Sequence, residues 1–546
     1  MLERASVVGQ AFEQAAVIAL SPAEQRPAVP ASLAALAGKE LLRAVGSGAP
    51  GEDAFQFRHL LIRDAAYEAI PKQVRAELHE RFAGWLGATT AADRAREYGE
   101  IIGYHLEQAY RYRATLGPVD ERARQLAASA ADRLVAAGRR ALDGADMPAA
   151  INLLSRAASL LTDHDLARFG LLPDLAHALT ETGELARAQA LLTEVVEGAT
   201  AAGDRRVGAY AVLERVRLRA SLALEGWAEE ARREAERLLP VFEELGDERG
   251  LAQAWGLLGA TLQHWCQLKA SEEARQRAVA FAQQAGDERE AAVNLGAFVL
   301  AALESPIPVL EGVRRCERVL RETKGQRRVE GQAYLALGGL RAMQGDMADA
   351  RRLLARSRSI FDELGMRLLG AELLRVSGEV ELLAGDSVAA EREFRSGYNM
   401  LEAIGERSTR CLLAALLARS LDAQGRAEEA AHFVQASEED ITTDDFVARI
   451  AWGSARSRLL AKRGELREAE TLAGMVVELA RETDAVGLHG TALLDLAAVL
   501  RLAGRPTDSV PLIEEAHGLY KRKGNTVLVR RTERILDELA GDQAHP

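Results

Sequence analysis

The sequence predicts an all-α protein built as a helical-repeat solenoid, and two periodic series of turns carry this prediction. In the first series, Gly or a small residue is followed five positions later by Ala or another small residue, and this pair recurs with the period of helix-pair repeats. These pairs are Ala145/Ala150, Gly183/Ala188, Gly226/Ala231, Lys269/Ala274, Ile307/Gly312, Gly345/Ala350, Gly385/Ala390, Gly425/Ala430, Gly464/Ala469 and Gly504/Ser509. The second series lies half a period out of phase, at Gly203, Gly246, Gly286, Gly325, Gly365, Gly405, Asp445, Asp484 and Gly524. Two turns per period leave room for two helices of about 17 residues, which bury their apolar stripes only if neighbouring pairs stack on them.

The repeats have the residue spacing of tetratricopeptide-like helix pairs. In AWGLLGATL, Trp255 and Gly259 have the spacing of a first helix, and Tyr334 and Gly338 repeat it in AYLALGGL. Gly or Ala at such positions allows two helix backbones to approach closely. Hydrophobic residues make up 48% of the chain but aromatic residues only 5%, which is typical of an Ala- and Leu-rich helical array.

The chain divides into four predicted segments. Residues 1–88 are not a repeat: LERASVVGQAF, EQAAVIAL and ASLAALAGKELL predict three helices, and LLRAV and AFQFRHL predict a hairpin closed by GSGAPGED. Three helices and a two-stranded hairpin predict a small winged-helix-like arm. We further predict a connecting helix in residues 89–117, covering roughly Ala91 to Arg113, and about ten helix pairs in residues 118–524. Residues 525–546 predict a capping helix and a tail.

The junction between the arm and the array is the most specific stretch of the sequence. FQFRHLLIRDAAYEAIPKQVRAELHERFAGWL, followed by EIIGYHLEQAYRYR, resembles the junction of bacterial STAND-class signal-transduction ATPases. In that family an ATPase module precedes a winged-helix arm with this block, and a tetratricopeptide array follows. Many members also carry a nucleotide cyclase or a DNA-binding domain. The resemblance implies that this chain is the sensor and scaffold half of an ATP-dependent signalling or transcription regulator.

The phosphate-binding loop of that family, GxxxxGK[ST], does not occur in the sequence. The nearest string, ALAGKE, lacks the first Gly and the hydroxyl residue, so it does not form the nest of backbone amides that holds a triphosphate. We therefore predict no enzyme activity, no catalytic residue and no cofactor for this chain. ATPase or cyclase activity would belong to an upstream module, in cis or in trans. Two interpretations stay open, an autonomous protein and a fragment of an adenylate or guanylate cyclase–ATPase fusion.

The resemblance also names a candidate contact to bound nucleotide. In related ATPases a winged-helix His reaches the phosphates of the nucleotide, and His59 has that place in this sequence, with Arg63 or Arg58 as an ionic partner. The alternative is a His at a helix start whose ring is satisfied locally.

DNA binding through the winged helix is the alternative function. Such domains can place their third helix in the major groove. Here PASLAALAGKELLRAV offers only Lys39 and Arg43, and the chain has a net charge of −12, so it predicts packing against protein better than contact with phosphates.

The array itself predicts binding of a protein, a peptide or a small effector in its concave groove. Placing the repeat pattern on each unit puts twelve polar or charged side chains towards that groove. They are Gln253, Gln263, His264, Glu290, Gln332, Glu372, Arg375, Glu379, Arg419, Asp422, Arg458 and Lys462. The alternative for each is an ordinary solvent-facing role.

The remaining sequence features predict a cytoplasmic protein that does not enter membranes. Cys266, Cys316 and Cys411 are widely separated, without a CxxC pair, and predict small core residues in a reducing compartment. No targeting segment and no long apolar run stands out, and no His and carboxylate grouping has the spacing of a metal site.

Overall fold

The computed structural model describes residues 1–46, 53–89, 98–162, 165–222 and 225–544, and most of these residues are α-helical. They form two compact units. One unit comprises Met1–Ala141 with Ala149–Asp174, and the other comprises Leu142–Pro148 with Leu175–Pro546. The predicted domain limits at residues 88, 117 and 524 follow sequence features and stay predictions.

The first elements of the chain are short, and the later ones have the lengths of repeat helices. The first nine helices are α1 (Leu2–Val8), α2 (Gln14–Leu20), α3 (Val29–Gly38), α4 (Leu60–Glu68), α5 (Lys72–Thr89), α6 (Gly99–Leu116), α7 (Glu121–Asp143), α8 (Met147–Leu160) and α9 (Leu166–Thr182). Three strands, β1 (Ala11–Glu13), β2 (Leu42–Gly46) and β3 (Asp53–Phe57), form an antiparallel sheet in the order β1-β3-β2.

The following helices belong to the second unit. They are α10 (Leu185–Ala202), α11 (Arg205–Ser221), α12 (Trp227–Leu245), α13 (Glu248–His264), α14 (Leu268–Gln284), α15 (Glu288–Leu300), α16 (Val309–Glu322), α17 (Arg327–Met343) and α18 (Met347–Leu364). The last nine are α19 (Arg367–Ala384), α20 (Ser387–Ile404), α21 (Ser408–Ala423), α22 (Ala427–Asp440), α23 (Phe446–Lys462), α24 (Leu466–Arg481), α25 (Val486–Leu502), α26 (Pro506–Lys523) and α27 (Thr526–Ala544). Short 3-10 turns occupy Ala23–Ala28 and Ala301–Leu303.

The start of the chain has the predicted hairpin and one strand that sequence reasoning missed. The helix predicted for LERASVVGQAF ends at Val8, and residues 11–13 pair with β3 instead. Phe12 of β1 packs against Phe55 and Phe57 of β3, so the strand completes an apolar core. The turn of the hairpin and the start of the predicted helix from Ala91 lie largely outside the described residues. The winged-helix identity of this segment stays a prediction.

The third helix is shorter than predicted. It ends at Gly38, because Glu40 adopts a left-handed backbone with φ of 60° that stops the helix. Lys39 is the residue that closes the helix, and Arg43 lies on β2, where its guanidinium donates hydrogen bonds to Gln56. The two cations considered for DNA binding are therefore not on a recognition-helix face.

The two turn series predict the helix boundaries of the repeats, except that one turn was placed three residues too late. The predicted glycines of both series have positive φ, as a residue that ends a helix in the left-handed region does. The pair Lys269/Ala274 was placed wrongly: Lys269 lies inside α14, and the positive φ belongs to Cys266. With Cys266 as the turn, the steps from Gly226 and to Ile307 become nearly equal.

The second unit is a tetratricopeptide-like solenoid. Each helix from α10 to α26 packs against the next helix along the chain, and each odd-numbered helix from α11 to α23 also contacts the next odd-numbered one. Among the described residues the even-numbered helices make no comparable contacts with one another. The odd-numbered helices therefore form the inner, concave wall.

The solenoid closes on itself after between five and six helix pairs. Turns of the first series meet turns of the second series that lie far along the chain, as Leu268 meets Asp484 and Ser305 meets Lys523. We call these contacts the interturn seam. They join Pro148 to Gly365, Gly183 to Ile404, Glu225 to Thr443, Leu268 and Lys269 to Asp484, and Ser305 to Lys523.

Two polar side chains of the seam form hydrogen bonds with backbone groups of turns that are far away in the sequence. The carboxylate of Asp484 accepts the backbone N–H groups of Leu268 at 2.7 Å and Lys269 at 2.9 Å, while Gln267, the local N-cap of α14, makes no side-chain cap. The ammonium of Lys523 donates to the backbone carbonyls of Ala302 at 2.8 Å and Ser305 at 2.6 Å. Burial lowers the pKa of Lys523 to about 8.

We expect Gly183→Ala to destabilise the protein more than Gly203→Ala. Both residues have positive φ, 84° and 68°, so each Ala costs about 1 kcal/mol of backbone strain. A Cβ at Gly183 would also lie 2.8 Å from Ile404 across the seam, whereas a Cβ at Gly203 meets no described atom within 4 Å. The clash adds about 1 to 3 kcal/mol. Guanidinium chloride unfolding measures both losses, and equal losses would contradict a packed seam.

Candidate functional site

A cavity of about 420 Å³ lies inside the closed turn of the second unit. Most of its wall comes from α13, α15, α17, α19 and α21, with further side chains from α9, α11, α14 and the start of α23. The cavity is therefore a half-open part of the concave face of the array. Its lining combines charged and amide groups with aliphatic side chains such as Leu257, Val293 and Leu369.

Half of the predicted groove residues line this cavity. They are Gln263, His264, Glu290, Gln332, Glu372 and Arg375. Glu379 is the ion-pair partner of Arg375 at 2.8 Å, and the backbone carbonyl of Gln253 accepts a hydrogen bond from Arg217. The structure thus brings these eight residues together, and their role in binding stays a prediction.

The other four predicted groove residues form a separate cluster around Asp495. Arg419 and Arg458 bind the two carboxylate oxygens of Asp495 at 3.1 and 3.2 Å. Arg458 also contacts Asp422, which accepts a hydrogen bond from the ammonium of Lys462 at 2.5 Å. These four side chains therefore bind one another and Asp495, and they do not line the cavity.

Part of the cavity wall is built from compensated ion pairs. Arg328 lies 3.2 Å from the carboxylate of Glu181, and Arg217 lies 2.7 Å from that of Glu214. Burial alone would raise the pKa of Glu214, but Arg217 and a hydrogen bond from His177 lower it to about 2. Each of these carboxylates stays ionised beside its guanidinium, so the pairs are fixed charges of the wall.

Arg275 is the exception among the buried cations of the cavity. Its guanidinium donates one hydrogen bond at 3.0 Å to Gln263 Oε1, and no carboxylate of the described residues forms an ion pair with it. The side chain is 6% exposed, and its Nε is buried without a hydrogen-bond partner. Burial lowers the pKa of Arg275 to about 10, which marks a cation that the folded protein does not fully compensate.

Unpartnered acceptors lie on the helix that follows Arg275. Asn294 donates its amide to the Oε1 atom of Glu290 at 2.9 Å, while Oδ1 of Asn294 and Oε2 of Glu290 are buried without partners. Both side chains are 1% exposed and line the cavity. Buried polar atoms of this kind lower stability unless another group binds them.

A third part of the wall carries an excess of carboxylates. Arg375 is held by Glu372 at 2.6 Å, by Glu379 at 2.8 Å and by Glu304 at 3.3 Å. Burial raises the pKa of Glu379, Arg375 opposes this, and the neighbouring carboxylates raise it further. Three acids around one guanidinium leave negative charge at this place.

Sequence reasoning missed Arg275 and Glu304 for different reasons. Arg275 lies on an even-numbered helix, and the repeat pattern assigned only first helices to the concave face. Its side chain crosses α13 at Gly259, where a Cβ would lie 2.8 Å from Arg275 Cγ. Glu304 follows the 3-10 turn of the irregular unit, where the repeat pattern gives no register. For Arg275, the sequence did contain one signal: a small residue, Gly259, on the first helix of the pair, which leaves room for an Arg of the second helix.

His59, the candidate nucleotide contact, belongs to the first unit. Among the described residues it has no ion-pair partner. His59 is the exposed residue that precedes α4, and its side chain makes no hydrogen bond within the described part of the chain. Arg58 pairs with Glu40 at 3.5 Å, and Arg63 pairs with Asp64 at 2.9 Å. A role of His59 and Arg63 at a nucleotide stays a prediction.

The junction block forms a buried hydrogen-bond chain. Nε2 of His79 lies 2.8 Å from the hydroxyl of Tyr67, which lies 2.9 Å from that of Tyr112, and Nδ1 of His79 lies 2.7 Å from Nδ1 of His105. Burial lowers the pKa of His79 to about 3 and that of His105 to about 4, so both rings are neutral. The chain joins α4, α5 and α6, and it gives the conspicuous residues of this block a packing role.

Comparison with known proteins gives structural likeness only. No protein-family model and no curated protein matches the sequence. The crystal structure of the APC/C hetero-tetramer Cut9-Hcn1 is 14% identical, with a TM-score of 0.47 over 88% of this chain and 98% of that chain. A Rap protein complexed with competence and sporulation factor is 13% identical, with a TM-score of 0.41 over 68% and 98%.

A STAND protein with a tetratricopeptide repeat sensor from Pyrococcus horikoshii is 15% identical, with a TM-score of 0.28. The alignment covers 99% of this chain and 65% of that chain. All three TM-scores are below 0.5, so the fold rests on the helices and turns described above. Among the described residues, no helix has both the length and the apolar character needed to cross a membrane.

We expect Arg275→Met to leave the free energy of unfolding unchanged or to raise it by about 1 kcal/mol. The substitution removes a buried, uncompensated charge and one hydrogen bond. The matched control is Arg328→Met, which leaves the carboxylate of Glu181 buried without its partner and should cost about 3 kcal/mol. Urea unfolding of both variants tests this, and equal losses would show that Arg275 is compensated in the folded protein.

We expect the first unit to lose stability as the pH falls from 6.5 towards 4. The unfolded chain binds protons at His79 and His105 near pH 6.5, whereas the folded rings stay neutral. His105→Gln removes one of these groups and should reduce the loss between pH 7.5 and 5 by about 2 kcal/mol. The control is His59→Gln at an exposed site, and urea unfolding at both pH values gives the comparison. An unchanged loss in His105→Gln would contradict the prediction.

Proposed function

We propose that this protein is a regulatory scaffold that binds a small effector inside the closed turn of its solenoid. The single observation that carries the proposal is the half-open cavity whose wall holds Arg275, which has no ion-pair partner among the described residues, and buried acceptor atoms of Glu290 and Asn294 without partners. Its volume of about 420 Å³ lies within the range of small-molecule sites. A wall of this kind costs stability in the empty protein and binds a ligand of matching polarity.

The position of the cavity supports a regulatory role over simple storage. Its lining comes from helices of successive pairs, and the interturn seam joins pairs that are far apart in the sequence. A ligand that contacts several inner helices stabilises one pitch of the solenoid over others, which couples binding to the geometry of the seam. We propose that this change of pitch is the output of the array.

We further propose that the output acts on an ATPase module, in cis or in trans. The junction block resembles that of STAND-class ATPases, and exposed apolar residues follow His59 on α4. Leu60 is 52% exposed and Leu61 is 80% exposed. Two adjacent leucines at this level of exposure would bury apolar surface if another protein covered them. In this proposal the chain itself is not catalytic, and its partners are a small effector and a protein.

A cavity-blocking variant tests the proposal. Ala260 lines the cavity on α13, so Ala260→Trp should fill it and abolish retention of the effector. The control is Ala280→Trp, an exposed position on α14 that does not line the cavity. Both purified variants and the wild type are dialysed against a small-molecule extract of the source cells, and retained compounds are identified by mass spectrometry.

The expected result is a compound retained by the wild type and by Ala280→Trp at a molar ratio approaching one, and lost from Ala260→Trp. Circular dichroism checks that Ala260→Trp keeps its helices. Retention of the same compounds by all three proteins would contradict binding in the cavity. Retention of nothing by the wild type would contradict the effector-binding role.

A further inference from the structure

We infer that the cavity takes a short peptide with both ends free, whose carboxylate binds Arg275 and whose ammonium binds the carboxylates around Arg375. The inference rests on the proposed function, because it names the ligand class of that same cavity. Three features of the wall point to it: a buried cation without an ion-pair partner among the described residues, an excess of acids, and acceptors beside an aliphatic surface.

The site for the ligand's carboxylate is Arg275. Its guanidinium is buried and has only the neutral Gln263 as a bonded partner, although other buried arginines of the wall, such as Arg217 and Arg328, are paired with carboxylates. A guanidinium binds a carboxylate in a planar, bidentate manner, and such a pair is strong where water is excluded. A ligand carboxylate therefore supplies the charge that the protein does not.

The site for the ligand's ammonium is formed by Glu304 and Glu372. Both line the cavity, and together with Glu379 they surround the single guanidinium of Arg375. Three carboxylates against Arg375 leave two negative charges, and the ammonium of Lys523, which donates to backbone carbonyls next to Glu304, offsets one of them in part. Negative charge remains in excess, and an ammonium group of the ligand reduces it.

The two charged sites belong to different helix pairs. Arg275 is on α14, whereas Glu372 is on α19 and Glu304 precedes α16. A ligand that reaches both sites needs separated charges, which a peptide has at its two ends. The unpartnered oxygens of Glu290 and Asn294 can accept hydrogen bonds from peptide N–H groups.

The body of the ligand faces aliphatic side chains. Leu257, Val293, Leu300, Leu369 and Leu412 line the same cavity. Apolar side chains of the peptide would bury their surface against these residues, and this burial is the main source of affinity in most small-ligand sites. A tripeptide of Ala, Val and Leu residues therefore matches the chemistry of the wall.

The experiment uses three tripeptide libraries built from Ala, Val and Leu: one with free ends, one acetylated at the amino end and one amidated at the carboxyl end. Each is dialysed against the full chain, and retained peptides are quantified by mass spectrometry. We expect members of the free-ended library to be retained, and either modification to lower their retention at least tenfold.

Two substitutions assign the ends. Arg275→Gln should bind free and amidated peptides equally, while Glu372→Gln should bind free and acetylated peptides equally. Arg277→Gln, at an exposed position on the same helix as Arg275, should behave like the wild type. The comparison among the three libraries on the wild type holds even if a variant fails to fold.

Equal retention of modified and free peptides by the wild type would overturn the inference, as would unchanged discrimination in Arg275→Gln and Glu372→Gln. If no tripeptide is retained but a cell-derived compound is lost on Ala260→Trp, the peptide class is wrong and the effector-binding function stands. If neither kind of ligand is retained, both proposals fail.

Discussion

Closure of the solenoid at the interturn seam is the constraint on which the second unit depends. The seam forms only if turns of distant repeats come into contact along the axis of the superhelix. The repeat length therefore has to stay nearly constant over five successive pairs. The contact at Asp484 shows what is gained. Its carboxylate caps the first N–H groups of α14, at Leu268 and Lys269, where the local sequence offers only Gln267. A helix that lacks its own cap is completed by the next turn of the superhelix.

Closure also changes the electrostatics of the concave face. In a wide groove the charges of first helices are solvated and contribute little, but where the wall is buried a charge has lost much of its water and needs a partner. Glu214 is paired with Arg217 on its own helix and Glu181 with Arg328 of α17, whereas Arg275 is bonded only to the neutral Gln263. Most charged groups of the wall are therefore bonded within the protein, and a small part of it keeps buried polar atoms without partners among the described residues. That difference is the reason for proposing a binding site here instead of a buried ion-pair network.

The parts of this fold that sequence reasoning predicted are those with local causes. Glycines at helix ends follow from backbone conformation, and Glu372 and Arg375 follow from helical periodicity, so both were readable from the chain. Arg275 was not predicted, because it lies on a second helix and reaches the concave face across Gly259, whereas the repeat pattern assigns only first helices to that face. The misplaced turn near Cys266 has a similar cause. There Cys takes the left-handed backbone that Gly takes elsewhere, and the neighbouring turn at Asp484 stabilises it through the seam.

The junction block divides into inward and outward residues, and this division refines what its resemblance to STAND ATPases means. Tyr67, His79 and His105 are bound to one another inside the first unit, so the strength of the sequence signal there reflects a packing requirement of α4, α5 and α6. The exposed residues beside this chain of hydrogen bonds are His59 and the leucines that follow it, Leu60 and Leu61. A contact with a nucleotide-binding module would thus involve a small patch at the start of α4, held in place by the buried chain behind it. In that proposal the buried residues of the block support the surface, and the exposed residues at the start of α4 would make the contact.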